Sequence, residues 1–96
     1  MTEIIAIQSA QPVMFGVLKL VWRDGFVGVV DLRSVLATGE MFAFLRAEPA
    51  RFNSVQTEEH GHKIFWLDED MDEIDFGSDA LRLRAERQAE IPRLAS

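Results

Sequence analysis

Over the first third of the chain, apolar residues fall into short β-rich stretches separated by turn residues. Residues 3–8, Glu-Ile-Ile-Ala-Ile-Gln, predict a first strand that Pro12 bars from continuing. Val13–Trp22 and Phe26–Val30 are rich in Val, Leu and aromatics, with Asp24-Gly25 between them. Both central residues of a type I′ turn need positive φ, which Asp and Gly tolerate, so the spacing predicts a hairpin with a two-residue loop. That register sets Trp22 opposite Val27, Leu20 opposite Val29 and Leu18 opposite Asp31. One face then reads Leu18, Leu20, Trp22, Val27, Val29, as an antiparallel sheet with one side on a core should.

Beyond Val30 the apolar period lengthens toward three or four. Asp31 is placed to cap a short helix with Leu32, Val35 and Leu36 on one face, and Thr38-Gly39 stops it. Met41–Leu45 is too short an apolar run for a helix of its own and predicts a buried connector that plugs the core. Pro49 pre-sets a helical turn through Asn53 with Phe52 inward. A second hairpin joins Ser54–Glu58 to His62–Leu67 around His60-Gly61, with Val55 opposite Trp66 and Thr57 opposite Ile64. Ile74 and Phe76 alternate with Glu73 and Asp75 in a last strand. Gly77-Ser78 then opens a C-terminal helix with Ser78 as its cap, Leu81, Ala85 and Ala89 as its inward stripe, and Pro92 as its stop. The expected architecture is one α+β domain over residues 1–96. It has a small antiparallel sheet of about five or six strands, a short central helix, a C-terminal helix and a flexible tail at residues 92–96.

Composition adds boundaries. The 96 residues are 48% hydrophobic, enough to build a core, and the absence of Cys removes disulfides, thiolate catalysis and sulfur-ligated zinc. No apolar run nears the roughly 20 residues of a bilayer span, so a cytoplasmic protein is expected. The net charge of −6 is local. Residues 58–79 hold nine acids and one base, Lys63, whereas the remainder holds seven acids and nine bases. Phosphate contacts need clustered Lys and Arg, so nucleic-acid and membrane-surface binding are not expected. The one basic cluster, Arg82, Arg84 and Arg87, reads as neutralising the preceding acids.

Candidate chemistry gathers in the acidic stretch. Asp68, Asp70 and Asp72 have the D-x-D-x-D spacing that opens a calcium loop, but Glu73 stands where its sharp turn wants Gly. His60 and His62 are further candidate metal donors beside Glu58 and Glu59, without a convincing third ligand. No G-x-S-x-G elbow, Gly-rich phosphate loop or carboxylate pair on separate elements is present, so no enzyme and no cofactor are expected. Trp22 and Trp66 lie near strand ends, where an indole either packs in the core or anchors a partner.

The hairpin closed by Asp-Gly, the run Val30–Gln56, the strand with Trp66 and the closing Asp75-Phe76-Gly77-Ser78-Asp79-Ala80-Leu81 together resemble the domain-of-unknown-function family 2442. The likeness spans about residues 3–84. Asp31-Leu32, Leu36, Gly39, Phe42, Leu45-Arg46, Pro49 and Phe52 are its specific part. The chain departs from the family pattern after Trp66, where Leu67-Asp68-Glu69-Asp70-Met71 replaces Pro and a short Asn-Gly-type turn. The resemblance implies a small prokaryotic α+β domain, encoded in some cases beside another small protein in a toxin–antitoxin-like pair, with no established catalytic residue.

The resulting functional expectation is a non-enzymatic protein-binding domain, an antitoxin-like or regulatory partner of a small basic protein. Its binding residues would be Asp68, Glu69, Asp70, Asp72, Glu73, Asp75, Trp66 and Trp22. The alternative is a metal or small-ligand module using Asp68, Asp70, Asp72, His60 and His62. A homo-oligomer is the third expectation.

Overall fold

A computed structural model describes residues 5–95 of the chain, with side chains through residue 89. Strands β1 (Ile7–Met14), β2 (Val17–Trp22) and β3 (Val27–Asp31) form an antiparallel meander. Helix α1 (Arg33–Leu36), a 3₁₀ turn (Glu40–Phe42), helix α2 (Ala43–Ala47) and a second 3₁₀ turn (Pro49–Ser54) follow. Strands β4 (Gln56–Thr57), β5 (Lys63–Leu67) and β6 (Glu73–Gly77) form a second meander, and helix α3 (Ser78–Ala95) closes the chain. No helix among the described residues is long and apolar enough to cross a membrane.

The fold class is α+β, but the expected single sheet is two sheets of three strands, ordered β1-β2-β3 and β4-β5-β6. They meet where the Ile7 N–H donates to the Gly61 carbonyl at 2.8 Å. With only two residues, β4 is too short to extend a ladder, and β1 carries Pro12 between irregular registers. An edge strand with bulges accommodates a proline that a central strand would reject. The first strand therefore starts at Ile7 and runs through Pro12, contrary to the expected 3–8 span, whose first two residues lie outside those described. A turn at Phe15-Gly16 divides the apolar run that reads as one strand from Val13.

The first hairpin is shifted by one residue from its expected register. Val21 pairs with Val27, Leu20 with Gly28 and Leu18 with Val30, around a three-residue loop Arg23-Asp24-Gly25. Gly25 takes φ +93°, and the Asp24 carboxylate accepts the Phe26 N–H, which favours a turn ending in a left-handed residue over the tighter type I′ loop. Because side chains alternate, the slip exchanges the faces of β3. Val30 is buried, while Val27 and Val29, expected in the core, are each 53% exposed. Gly28 faces α3 so closely that a Cβ there would lie 2.9 Å from the Ala85 methyl.

Met41–Leu45 is helical in two short pieces, with only Leu45 buried and Met41 exposed, so it is not the buried plug expected. Ala43–Ala47 is tied to its neighbours by two arginines, Arg46 donating to the Leu36 carbonyl of α1 and Arg51 of the second 3₁₀ turn donating to the Phe44 carbonyl within α2. Phe52 does turn inward, and the second hairpin keeps its expected register, with Thr57 opposite Ile64. In α3, Leu81 and Ala85 are buried but Ala89 is exposed. Gln88 takes the third place, its amide oxygen accepting the Asp31 N–H at 2.8 Å and its amide nitrogen donating to the Asp31 carbonyl at 3.1 Å. The helix passes through Pro92 to Ala95 and so is not stopped there. The tail expected at 92–96 overlaps this helix through Ala95, and residue 96 lies outside those described.

Ser78 is not a cap. Its buried hydroxyl accepts the Trp22 indole N–H at 3.0 Å and donates to the Ile5 carbonyl, so one side chain binds α3 to the first sheet. Asp31 is not the cap of α1 either: Leu32 holds that position without a capping side chain, while Asp31, one residue earlier, accepts the Arg33 N–H at 2.9 Å and pairs with the Arg33 guanidinium. The Arg33 side chain first, then its backbone N–H, lowers the Asp31 carboxyl from an ordinary 3.8 to about 2. A depressed carboxyl stabilises the fold above the unfolded value and loses that contribution as pH falls through the folded one. Thermal melts between about pH 5 and pH 2 should therefore show a smaller acid-induced drop for Asp31→Asn than for the wild type. Equal drops would assign the acid sensitivity to other carboxyls.

Candidate functional site

The acids from Asp68 to Asp75 lie on one β-hairpin. Opposite residues of an antiparallel pair share a face, so Ile64 with Phe76 and Trp66 with Ile74 point into the core. The same register puts Phe65 with Asp75, Leu67 with Glu73 and Lys63 with Gly77 on the outer face. Phe65 and Leu67 are half-buried there, beside the exposed Glu73 and Asp75 of β6, which is the edge strand. Lys63 reaches Glu73 at 2.6 Å and Asp75 at 3.5 Å, and the Glu73 carboxylate is the main cause of its raised pKa. The alternation Lys63-x-Phe65-x-Leu67 is the sequence signal of this second face, opposite to the one that carries Trp66.

The turn beyond β5 is built by Asp68. Its Oδ1 accepts the backbone N–H groups of Asp70 and Asp72, both at 2.9 Å, and its own N–H donates to the Asp72 carbonyl. The chain crosses the tip with Met71 at φ +66°, and the Met71 side chain is 70% exposed. Carboxylate oxygens of Asp68, Asp70 and Asp72 lie within 4.8 Å of one another. Asp68 Oδ1, however, is occupied with shaping the loop, and a calcium loop needs more oxygen ligands than three. Glu69 leans toward Arg51 at 3.8 Å, which already pairs with Glu48 at 3.1 Å.

His60 and His62 occupy the other hairpin end, with ring centroids 5.9 Å apart. Strand β5 separates His62 from Asp68 by six residues, about 20 Å at about 3.3 Å each. The five residues expected to form one metal site are therefore in two places. Glu58 is also committed: backbone N–H groups, that of His60 foremost, hold its carboxyl below the ordinary range and close the turn.

The two tryptophans are not surface anchors. Both are fully buried, Trp22 bonded to Ser78 and Trp66 donating to the Phe52 carbonyl at 2.9 Å. Trp66 also stacks on Phe52 with centroids 5.3 Å apart. A buried indole needs a partner for its N–H, and both have one inside the fold. Nor do the C-terminal arginines neutralise the acidic stretch. Arg82 lies over the Phe26 ring at 4.1 Å and pairs with Asp24 and Glu86, while Arg84 reaches the Asp31 carbonyl. What remains is an acidic hairpin with a half-buried apolar strip along β5.

Comparison of the chain with models of protein families, with curated proteins and with solved structures finds no match.

Proposed function

We propose that the chain is a non-enzymatic protein-binding domain whose β5–β6 hairpin docks a basic partner. One observation carries this reading: residues 68–79 contain seven acids and no base, and the hairpin sets Glu73 and Asp75 on an edge strand beside Phe65 and Leu67. An edge offers main-chain groups for pairing, apolar side chains supply area, and an acidic rim steers an oppositely charged surface into register. The resemblance to domain-of-unknown-function family 2442 adds a small neighbouring protein of a cytoplasmic prokaryotic pair as the partner class.

Capture of a basic protein from the native host tests the proposal, using the wild type and a variant with Asp70→Lys, Glu73→Lys and Asp75→Lys. The expected result is one basic protein held by the wild type, released as salt rises from about 0.05 M to about 0.5 M, and absent from the variant. Equal capture by both proteins, or capture of nothing, removes the reading. The convergence of the Asp68, Asp70 and Asp72 carboxylates supports cation binding as a second reading. A melting temperature raised by calcium and restored by chelator would favour it over partner docking.

A further inference from the structure

Helices α3 and α1 and the end of β6 enclose a groove of about 500 Å³. Leu32, Val35, Phe76 and Leu83 give it apolar walls, and Arg84 and Arg87 stand over it. Leu83 is half exposed, an apolar side chain left beside the groove without cover. Among the described residues neither arginine forms a salt bridge: Arg84 donates to the Asp31 carbonyl and adds only a minor attraction to the Asp31 carboxylate, and Arg87 is exposed. In a chain of net charge −6, this is an apolar slot with a cationic rim. Its complement is an apolar side chain flanked by carboxylates.

The chain itself presents such a group. At the tip of the β5–β6 turn, Met71 projects into solvent between the exposed Asp70 and Asp72. It cannot fill the groove of its own molecule, because β6 holds the turn and Phe76 apart by four residues, about 13 Å. We infer that the groove receives the Asp68–Asp72 turn of a second copy of this chain, with Met71 against Leu83 and Val35 and its flanking aspartates against Arg84 and Arg87. The inference rests on the reading above, that this hairpin is a docking element, and it names one occupant for the groove.

Charge favours the contact despite the overall repulsion of two acidic copies. At physiological salt the screening length is about 8 Å, so the distant like charges fade while the touching pairs persist. A methionine thioether adapts to an irregular apolar slot without a fixed shape requirement. The area is small, so the association is weak and depends on concentration. The contact is head-to-tail: it closes into a ring or extends into a chain according to the rotation between copies. It also occupies the acidic turn, so self-association and capture of a basic partner compete.

Sedimentation of the purified protein tests this. The wild type should gain weight-average mass with concentration and lose it in high salt. Arg87→Glu and the pair Asp70→Lys with Asp72→Lys should each weaken association by about tenfold or more. An equimolar mixture of these two variants should associate again, since each then offers the charge the other lacks. Met71→Gly should also abolish association, and glycine suits the positive φ there, so the loss is not one of folding. A wild type that stays monomeric to about millimolar concentration, variants that associate like the wild type, or a mixture that fails to recover would each overturn the inference. A monomeric wild type would leave partner capture standing, because that is read on a different molecule.

Discussion

Trp66→Ala is expected to leave most of the protein unfolded at modest denaturant concentration. The indole is fully buried, stacks on Phe52 and meets Phe76 edge-on at 6.2 Å. Removing a large buried aromatic costs about 3–5 kcal/mol, because its neighbours relax only in part around the cavity. The Phe52 carbonyl also loses its donor, worth about 1 kcal/mol more. Set against the roughly 5–15 kcal/mol that holds a typical domain together, that is about a quarter of the total or more. Equilibrium denaturation checks it. A change below about 1 kcal/mol would place the ring outside the core.

The second large effect is at Gly61, where the two sheets meet. Its φ of +73° already disfavours any residue with a Cβ, at about 1–2 kcal/mol. A Cβ there would also lie 2.5 Å from the Ile7 carbonyl oxygen and 2.9 Å from the Ile7 nitrogen. Both atoms belong to backbone, which cannot swing aside as a side chain would. Gly61→Ala should therefore cost about 3 kcal/mol or more and break the Ile7–Gly61 hydrogen bond. Gly25→Ala is the control: its φ is also positive, but nothing lies within 4 Å of the new carbon. It should cost only the backbone strain, about 1–2 kcal/mol. Melting curves of the two variants separate the terms, and equal losses would show that the close approach to Ile7 carries no cost.

Both effects were partly legible in the sequence. The second hairpin could be registered from apolar pairing alone, because only one alignment sets Thr57 opposite Ile64 and Val55 opposite Trp66. The first could not. Asp24-Gly25 suits a two-residue loop and also a three-residue loop ending in glycine, and valines at 27, 29 and 30 satisfy either face. The choice is made by α3, whose Ala85 needs a glycine beneath it, and that contact spans 57 positions of sequence. Concentration of acids in one segment was equally plain, whereas their availability was not. Lys63 and Arg51 reach them from other elements, and Asp68 turns its carboxylate onto its own loop. The aromatic positions of Trp22 and Trp66 near strand ends left their direction open, and burial decided it.

The pairing of Gln88 with Asp31 bears on how the protein behaves in concentrated solution. Trp22 N–H bonds to the Phe26 carbonyl, and ladder bonds alternate from there, so the peptide groups of Val27, Val29 and Asp31 face away from β2. The Gln88 amide copies a neighbouring strand and occupies the Asp31 pair. Whenever α3 lifts away, that pair is released beside two exposed valines, and the rim of the first sheet becomes a template for cross-chain β-pairing. The shelf life of the protein should then follow how often one helix undocks, a local event, more closely than the free energy of unfolding the whole chain.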